Sequence, residues 1–138
     1  MGLTGGLDFS GEWLALREPF DHVARAPAVT AAALAHLAGR TAPLVVDLGC
    51  GRGSSLRFLR PRLGPGVRWR LVDRDPALLE QAARALDPAE RVELVTADLR
   101  GDDLADVVAA ADLVSAAALI DLVDETWLAT LVDRKSVV

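Results

Sequence analysis

Hydrophobic and polar positions change period along this chain, and the change marks its elements. Val23 to Leu37 is rich in alanine with apolar residues at helical spacing, and Gly39 closes it. Leu44 to Leu48 is almost uniformly apolar, as a strand buried on both faces of a parallel sheet must be, and predicts a strand over 43–48. Leu56, Leu59 and Leu63 then repeat at helical spacing and predict a helix over about 54–62. Gly64-Pro65-Gly66 is a turn, followed by a strand from Val67 to Asp73. Pro76 opens a helix to about Leu86, with Asp75 as its N-cap, and Asp87-Pro88 breaks it. Arg91 to Thr96 reads as a third strand, 102–110 as a short helix, 112–115 as the start of a fourth strand, and a further helix begins near Asp124. Upstream, Trp13, Leu14, Leu16 and Arg17 predict a short helix ended by Pro19. The 23–37 helix would take Asp21 as N-cap, with Pro27 as a kink or early start. Strands alternating with helices mean an α/β fold with a parallel sheet and right-handed crossovers.

The junction between the first strand and its helix carries the most chemistry. It reads Val45-Val46-Asp47-Leu48-Gly49-Cys50-Gly51-Arg52-Gly53-Ser54-Ser55. Glycines there let the backbone turn tightly and approach a ligand, and the loop delivers that ligand to a helix N-terminus. A dinucleotide-binding loop wants G-x-G-x-x-G, and its third glycine would fall on Ser54. Here the glycines sit at 49, 51 and 53 with an acid at Asp47.

Asp-x-Gly-x-Gly-x-Gly resembles motif I of the class I S-adenosylmethionine (SAM)-dependent methyltransferases. Asp73 closes the second strand 20 residues after Gly53, where an acid can accept hydrogen bonds from both ribose hydroxyls. A dehydrogenase uses the same device, so Asp73 does not separate the two. Asp98 and Leu99, after the third strand, match the family positions whose carboxylate and backbone N–H meet adenine. Asp112-Leu113-Val114-Ser115 resembles the fourth motif, where the strand end faces the methyl group. Arg74 stands where the family often packs a side chain against adenine; a solvated arginine is the other reading. The resemblance covers about residues 43–123. It implies a Rossmann-like three-layer sheet, SAM as cofactor, and contacts to it from Asp47, Gly49, Cys50, Gly51, Gly53, Asp73, Arg74, Asp98, Leu99 and Ser115. Trp13-Leu14-Ala15-Leu16-Arg17-Glu18-Pro19 also resembles the leader of a bacterial subgroup of these enzymes.

Composition narrows the partners. A chain of 138 residues is one domain at most, and its formal charge of −5 argues against a nucleic-acid surface. The single cysteine, Cys50, provides no disulfide framework and fits a reducing cytosol. The N-terminus lacks the pattern of a signal peptide, and Asp106, Asp112 and Asp121 interrupt the most apolar stretch, so no membrane span is expected. No Cys/His metal spacing and no Gly-x-Ser-x-Gly elbow are present. Methyl transfer from a sulfonium is an in-line displacement that needs alignment more than a triad or a metal. No catalytic residue is assigned; His22 as a base is a remote reading.

The expected function is methyl transfer to a small-molecule acceptor. Asn/Asp-Pro-Pro-Tyr, the motif of several amino-group methyltransferases, is replaced by Ser115-Ala116-Ala117-Ala118. The alternatives are an NAD(P)-binding dehydrogenase fragment, disfavoured by Ser54 and Asp98, and a non-catalytic SAM-binding module. Plainer structural roles stand beside these. Asp47 would cap the glycine loop, Asp73 and Asp98 would be turn residues, Ser115 a strand end, and Cys50 a small packing residue. Arg52, Arg57, Arg60, Arg62, Arg68 and Arg70 have no acid among them and read as a solvated face. Trp13, Trp69 and Trp127 read as packing, with Trp13 the one placed to cover a cofactor.

Three segments are expected: a helical segment over 1–40, an incomplete SAM-binding domain over 41–132, and an artefactual tail over 133–138. The family sheet has seven strands in the order 3-2-1-4-5-7-6, and four are found here, which would leave strand four as an exposed edge. Asp133-Arg134-Lys135-Ser136-Val137-Val138 can be encoded by GAT-CGG-AAG-AGC-GTC-GTG, a common sequencing-adapter reading followed by a stop codon. On that reading native residues end near Val132; a genuine short protein whose tail matches by accident is the other reading.

Overall fold

A computed structural model describes residues 11–84, 86, 90–100, 104–116, 126, 129 and 131. The elements run α1 (Gly11–Ala24), α2 (Pro27–Leu37), β1 (Leu44–Leu48), α3 (Ser54–Leu63), β2 (Arg68–Asp73), α4 (Pro76–Arg84), β3 (Val92–Thr96), α5 (Leu104–Val107) and β4 (Leu113–Ser115). The four strands form one parallel sheet in the order β3-β2-β1-β4. That order is the first part of the expected family topology.

The alternation within β1 explains the layers. Leu44, Val46 and Leu48 point to one face and pack with Val72, Val114, Leu104, Val107 and Val108. Val45 points to the other, into a cluster with Ala33, Leu37, Leu56, Leu59, Leu71 and Leu79 from α2, α3, β2 and α4. Successive side chains of a strand alternate between faces, so a uniformly apolar strand has a core on both sides. Trp69 is in this second cluster, a packing residue as read.

Local signals placed α4 well. Pro76 is its first residue, and the Asp75 carboxylate accepts the N–H of Ala77 at 2.9 Å. It is described as far as Arg84, and Leu86 lies outside the helix. Of the short helix expected over 102–110, the described residues show α5 over Leu104–Val107 and turn from 108 to 110.

The N-terminal helices differ from expectation. Proline does not end the first one: α1 runs through Pro19 to Ala24. Asp21 therefore lies inside α1 and is not the cap of the next helix, and Pro27 opens α2. Proline costs a helix one backbone hydrogen bond, and tertiary contacts from the preceding residue, Glu18, hold this one across that gap. The edges differ too. All three residues of β4 are buried, with Val114 packed in the same cluster as Leu131, whereas Glu93, Leu94 and Thr96 of β3 are exposed. Strand four is thus the sheet edge among the described strands without being an exposed one. Trp127, most of the segment expected to form a last helix and the 133–138 tail lie outside the described residues.

Candidate functional site

The carboxyl ends of β1, β2 and β4 and the N-terminus of α3 meet around the glycine loop. Gly49, Gly51 and Gly53 have φ of 64°, 56° and 96°, a region that L side chains rarely adopt. Their alternate spacing is a conformational requirement of this turn. Gly53 has a second constraint, because a Cβ there would stand 3.3 Å from Ala82 Cβ and 3.3 Å from Arg57 Nη1. Three hydrogen bonds carry the chain from strand to helix: Cys50 N–H to Val72 O at 3.0 Å, Gly53 N–H to Cys50 O at 3.0 Å, and Arg57 N–H to Gly53 O at 3.0 Å.

Asp73 ties the second strand to that loop. One carboxylate oxygen accepts the N–H of Gly51 at 2.9 Å, and the other accepts the N–H of Asp75 at 2.9 Å. Burial raises its pKa, against the two backbone donors that favour the charged form.

Asp47 is 2% exposed and Ser115, its register partner on β4, is 1% exposed. Burial pushes the Asp47 carboxyl up from 3.8 to about 7; the Arg25 charge and the Ser115 hydroxyl oppose this, and the Asp73 charge adds to it. Ser115 stands close enough to favour the ionised form. Yet among the described residues neither Asp47 Oδ2 nor Ser115 Oγ completes a hydrogen bond of ordinary geometry. Two buried oxygens that complete no ordinary hydrogen bond among the described residues, on register-paired strand ends, suit a polar ligand group.

Cys50 is buried, and its Sγ lies 3.4 Å from Gly51 O. Burial, then the Asp47 and Asp73 charges, raise its thiol pKa well above the ordinary value. It is kept neutral, which fits a packing residue and not a nucleophile.

Asp98 sits apart from this group. It is exposed, and its Oδ1 accepts the N–H of Arg100 at 3.0 Å in a short turn. That backbone bond lowers its pKa, with further help from the Arg100 and Arg74 charges. Leu99 turns its side chain into the core beside Ala97 and Leu104, which fixes the loop that displays Asp98. Arg74 is half-buried. The structure thus brings Asp47, Gly49, Cys50, Gly51, Gly53, Asp73 and Ser115 together, and holds Asp98 on the loop following the neighbouring strand.

Two residues that the sequence reading did not single out join the site. Arg25 donates to Ser55 Oγ at 2.6 Å and lies over the Phe58 ring at 4.6 Å, and its charge reaches Asp47. Glu18 accepts from Arg57 Nε at 2.7 Å and from Arg57 Nη2, and lies 3.5 Å from Arg52 Nη1. The only signal for either was the leader-like stretch around Glu18. The arginine run is corrected accordingly. Arg52 and Arg57 pair with Glu18, Arg60 with Glu90, and Arg70 with Glu93 at 2.8 Å. Arg62 stacks on Phe58 at 3.9 Å, and Arg68 donates to Ala42 O at 2.8 Å. A run of like charge reads as solvated only until the fold brings acids to it from other elements. Trp13 is 42% exposed. His22 falls in α1, and its side chain is outside what is described. Among the described residues there is no cluster suited to a metal, and no helix is long and apolar enough to cross a membrane.

Comparison with known proteins bears on the family and the fold. A family model described as a methyltransferase domain matches residues 45–137. Trans-aconitate 2-methyltransferase of Klebsiella pneumoniae (strain 342) is 41% identical over 71 residues, 48% of this chain and 26% of that protein. The plantazolicin methyltransferase BpumL, solved with S-adenosylhomocysteine (SAH), superposes with a TM-score of 0.62 at 15% identity, over 91% of this chain and 47% of that one. A SAM-bound amino pentose methyltransferase from Micromonospora echinaspora gives a TM-score of 0.57 at 22% identity, over 95% of this chain and 54% of that one. At such identities the structural likeness is one of fold. The chain spans about a quarter of its curated relative and about half of these solved structures.

Proposed function

This chain belongs to the class I SAM-dependent methyltransferases, and on that premise we propose that the protein binds SAM across the carboxyl ends of its strands and transfers the methyl group to a small-molecule acceptor. When bound, SAM supplies both the methyl group and its own sulfur leaving group. The protein's task is to hold and align.

The observation that carries this reading is the double use of Asp73. An ionised carboxylate offers about four lone-pair sites. The backbone N–H groups of Gly51 and Asp75 occupy two of them, one on each oxygen. The remaining capacity suits the paired hydroxyls of a ribose. Gly49, Cys50, Gly51 and Gly53 present backbone to the ligand at the start of α3, whose first turn contains no acid to repel an anionic group. The Asp47 and Ser115 oxygens, which complete no ordinary hydrogen bond among the described residues, suit the cationic end of the amino-acid portion. Asp98, with the Leu99 backbone and Arg74 beside it, suits an adenine.

A small acceptor is supported by the relative that acts on trans-aconitate. The −5 formal charge speaks against a nucleic-acid substrate. With one buried thiol, a reducing, cytoplasmic setting is the one proposed.

Calorimetric titration of the chain with SAH, with NAD as control, tests the cofactor. Saturable SAH binding lost in Asp73→Ala is expected; binding of NAD in its place overturns the reading. Methyl transfer by the complete protein to a panel of small carboxylates and amines tests the acceptor class.

A further inference from the structure

Helix α1 reaches the glycine loop through one acid. Glu18 takes both donors of the Arg57 fork, Nε at 2.7 Å and Nη2. The remaining Arg57 nitrogen, Nη1, donates to the backbone carbonyl of Arg52 at 2.7 Å, inside the glycine loop. Arg52 itself approaches the same Glu18 carboxylate at 3.5 Å. The Glu18 side chain is 12% exposed and that of Arg57 25%, so solvent screens this pair only in part.

The charges favour the contact. α3 begins with no acidic residue in its first turn, and two arginines, Arg52 and Arg57, flank its N-terminus. The helix dipole places partial positive charge there, so two more cations are unfavourable. Glu18 supplies from another element the negative charge that α3 lacks. It does so while fixing the carbonyl of Arg52, between the two left-handed glycines Gly51 and Gly53.

We propose that Glu18 is a positioning residue for the cofactor: by clamping Arg57 and Arg52 it holds the glycine loop in its binding form and couples the docking of α1 to cofactor affinity. The proposal rests on the SAM reading above. The coupling is reciprocal, because a site that binds better with α1 docked must in turn favour docked α1.

The test is SAH titration of the wild-type chain, Glu18→Gln, Arg57→Lys and the double variant, each paired with its thermal unfolding midpoint. Glu18→Gln is expected to weaken SAH binding about tenfold in a chain that still unfolds cooperatively, at a lower ligand-free midpoint. Adding Arg57→Lys to Glu18→Gln is expected to cost no further affinity, since the two residues act as one unit. Unchanged affinity in Glu18→Gln, or fully additive losses, overturns the clamp. Hydrogen exchange on the wild-type chain gives a reading that needs no variant. Saturating SAH should slow exchange of the α1 amides; no change in α1 overturns the coupling. A wild-type chain that folds and binds no SAH overturns the cofactor reading together with the clamp, whereas wild-type binding with an indifferent Glu18→Gln overturns the clamp alone.

Discussion

Asp73 accepts the backbone N–H of Gly51 at 2.9 Å, so the last residue of β2 fixes the middle of the loop that follows β1. The two are 22 residues apart and are brought side by side by the parallel pairing of β1 with β2. The same carboxylate starts the turn into α4 through Asp75. Replacing it by asparagine puts an N–H against one of two backbone donors. Asp73→Asn should cost about 1–3 kcal/mol of stability in denaturant unfolding. It should also weaken SAH binding by at least about tenfold. Asp73→Ala should remove binding altogether. A variant that loses stability and keeps full affinity would confine Asp73 to a structural role.

Gly53 and Gly39 allow strain and crowding to be separated. Both have left-handed φ, 96° and 80°, but a Cβ at Gly39 meets nothing within 4 Å, while one at Gly53 meets Ala82 and Arg57. Gly39→Ala should therefore cost about 1–2 kcal/mol from backbone strain alone. Gly53→Ala should cost more, and only Gly53→Ala should disturb SAH binding. Unfolding midpoints in urea, read beside calorimetry, check both.

Cys50 should resist alkylation. Its buried thiol is kept neutral by desolvation and by the neighbouring Asp47 and Asp73 charges. The thiolate is the reactive species. Iodoacetamide should label the native chain far more slowly than the urea-unfolded chain, and SAH should slow labelling further. Rapid labelling of the folded chain would mean an accessible, activated thiol.

Much of this molecule is readable from local pattern. Apolar runs and helical spacing place β1, α3, β2 and α4 to within a residue or two, because each buries its own repeating face. Glycines at alternate positions mark the turn because the backbone there needs left-handed φ. What local pattern misses is set by distant partners. Glu18 and Arg57 are 39 residues apart, and nothing near either shows that they meet. The same holds for Arg70 with Glu93, 23 residues away. Pro19 shows the converse, a strong local signal outweighed by contacts that its neighbour makes elsewhere. The burial of β4 likewise depends on packing, which a three-residue strand does not announce.

Asp47 makes both stability and binding depend on pH. Its folded pKa of about 7 lies above the ordinary 3.8, so the folded chain keeps a proton that the unfolded chain releases. The sign follows from linkage: the contribution is fully present below pH 3.8 and is lost as pH rises through about 7. Over that window the ligand-free chain should lose stability on the order of 4 kcal/mol from this group. Asp47→Asn, which keeps the shape and cannot ionise, should flatten the profile. The proposed ligand reverses the slope. An ammonium beside Asp47 binds the ionised form, so SAH affinity should rise about tenfold per pH unit below 7 and level off above it. Chemical unfolding and calorimetry across this range, on the wild type and Asp47→Asn, check the two slopes together. If affinity in the wild type is independent of pH while stability falls as expected, Asp47 titrates in the fold but does not meet the ligand's charge, and the cationic end of the cofactor must be held by other groups.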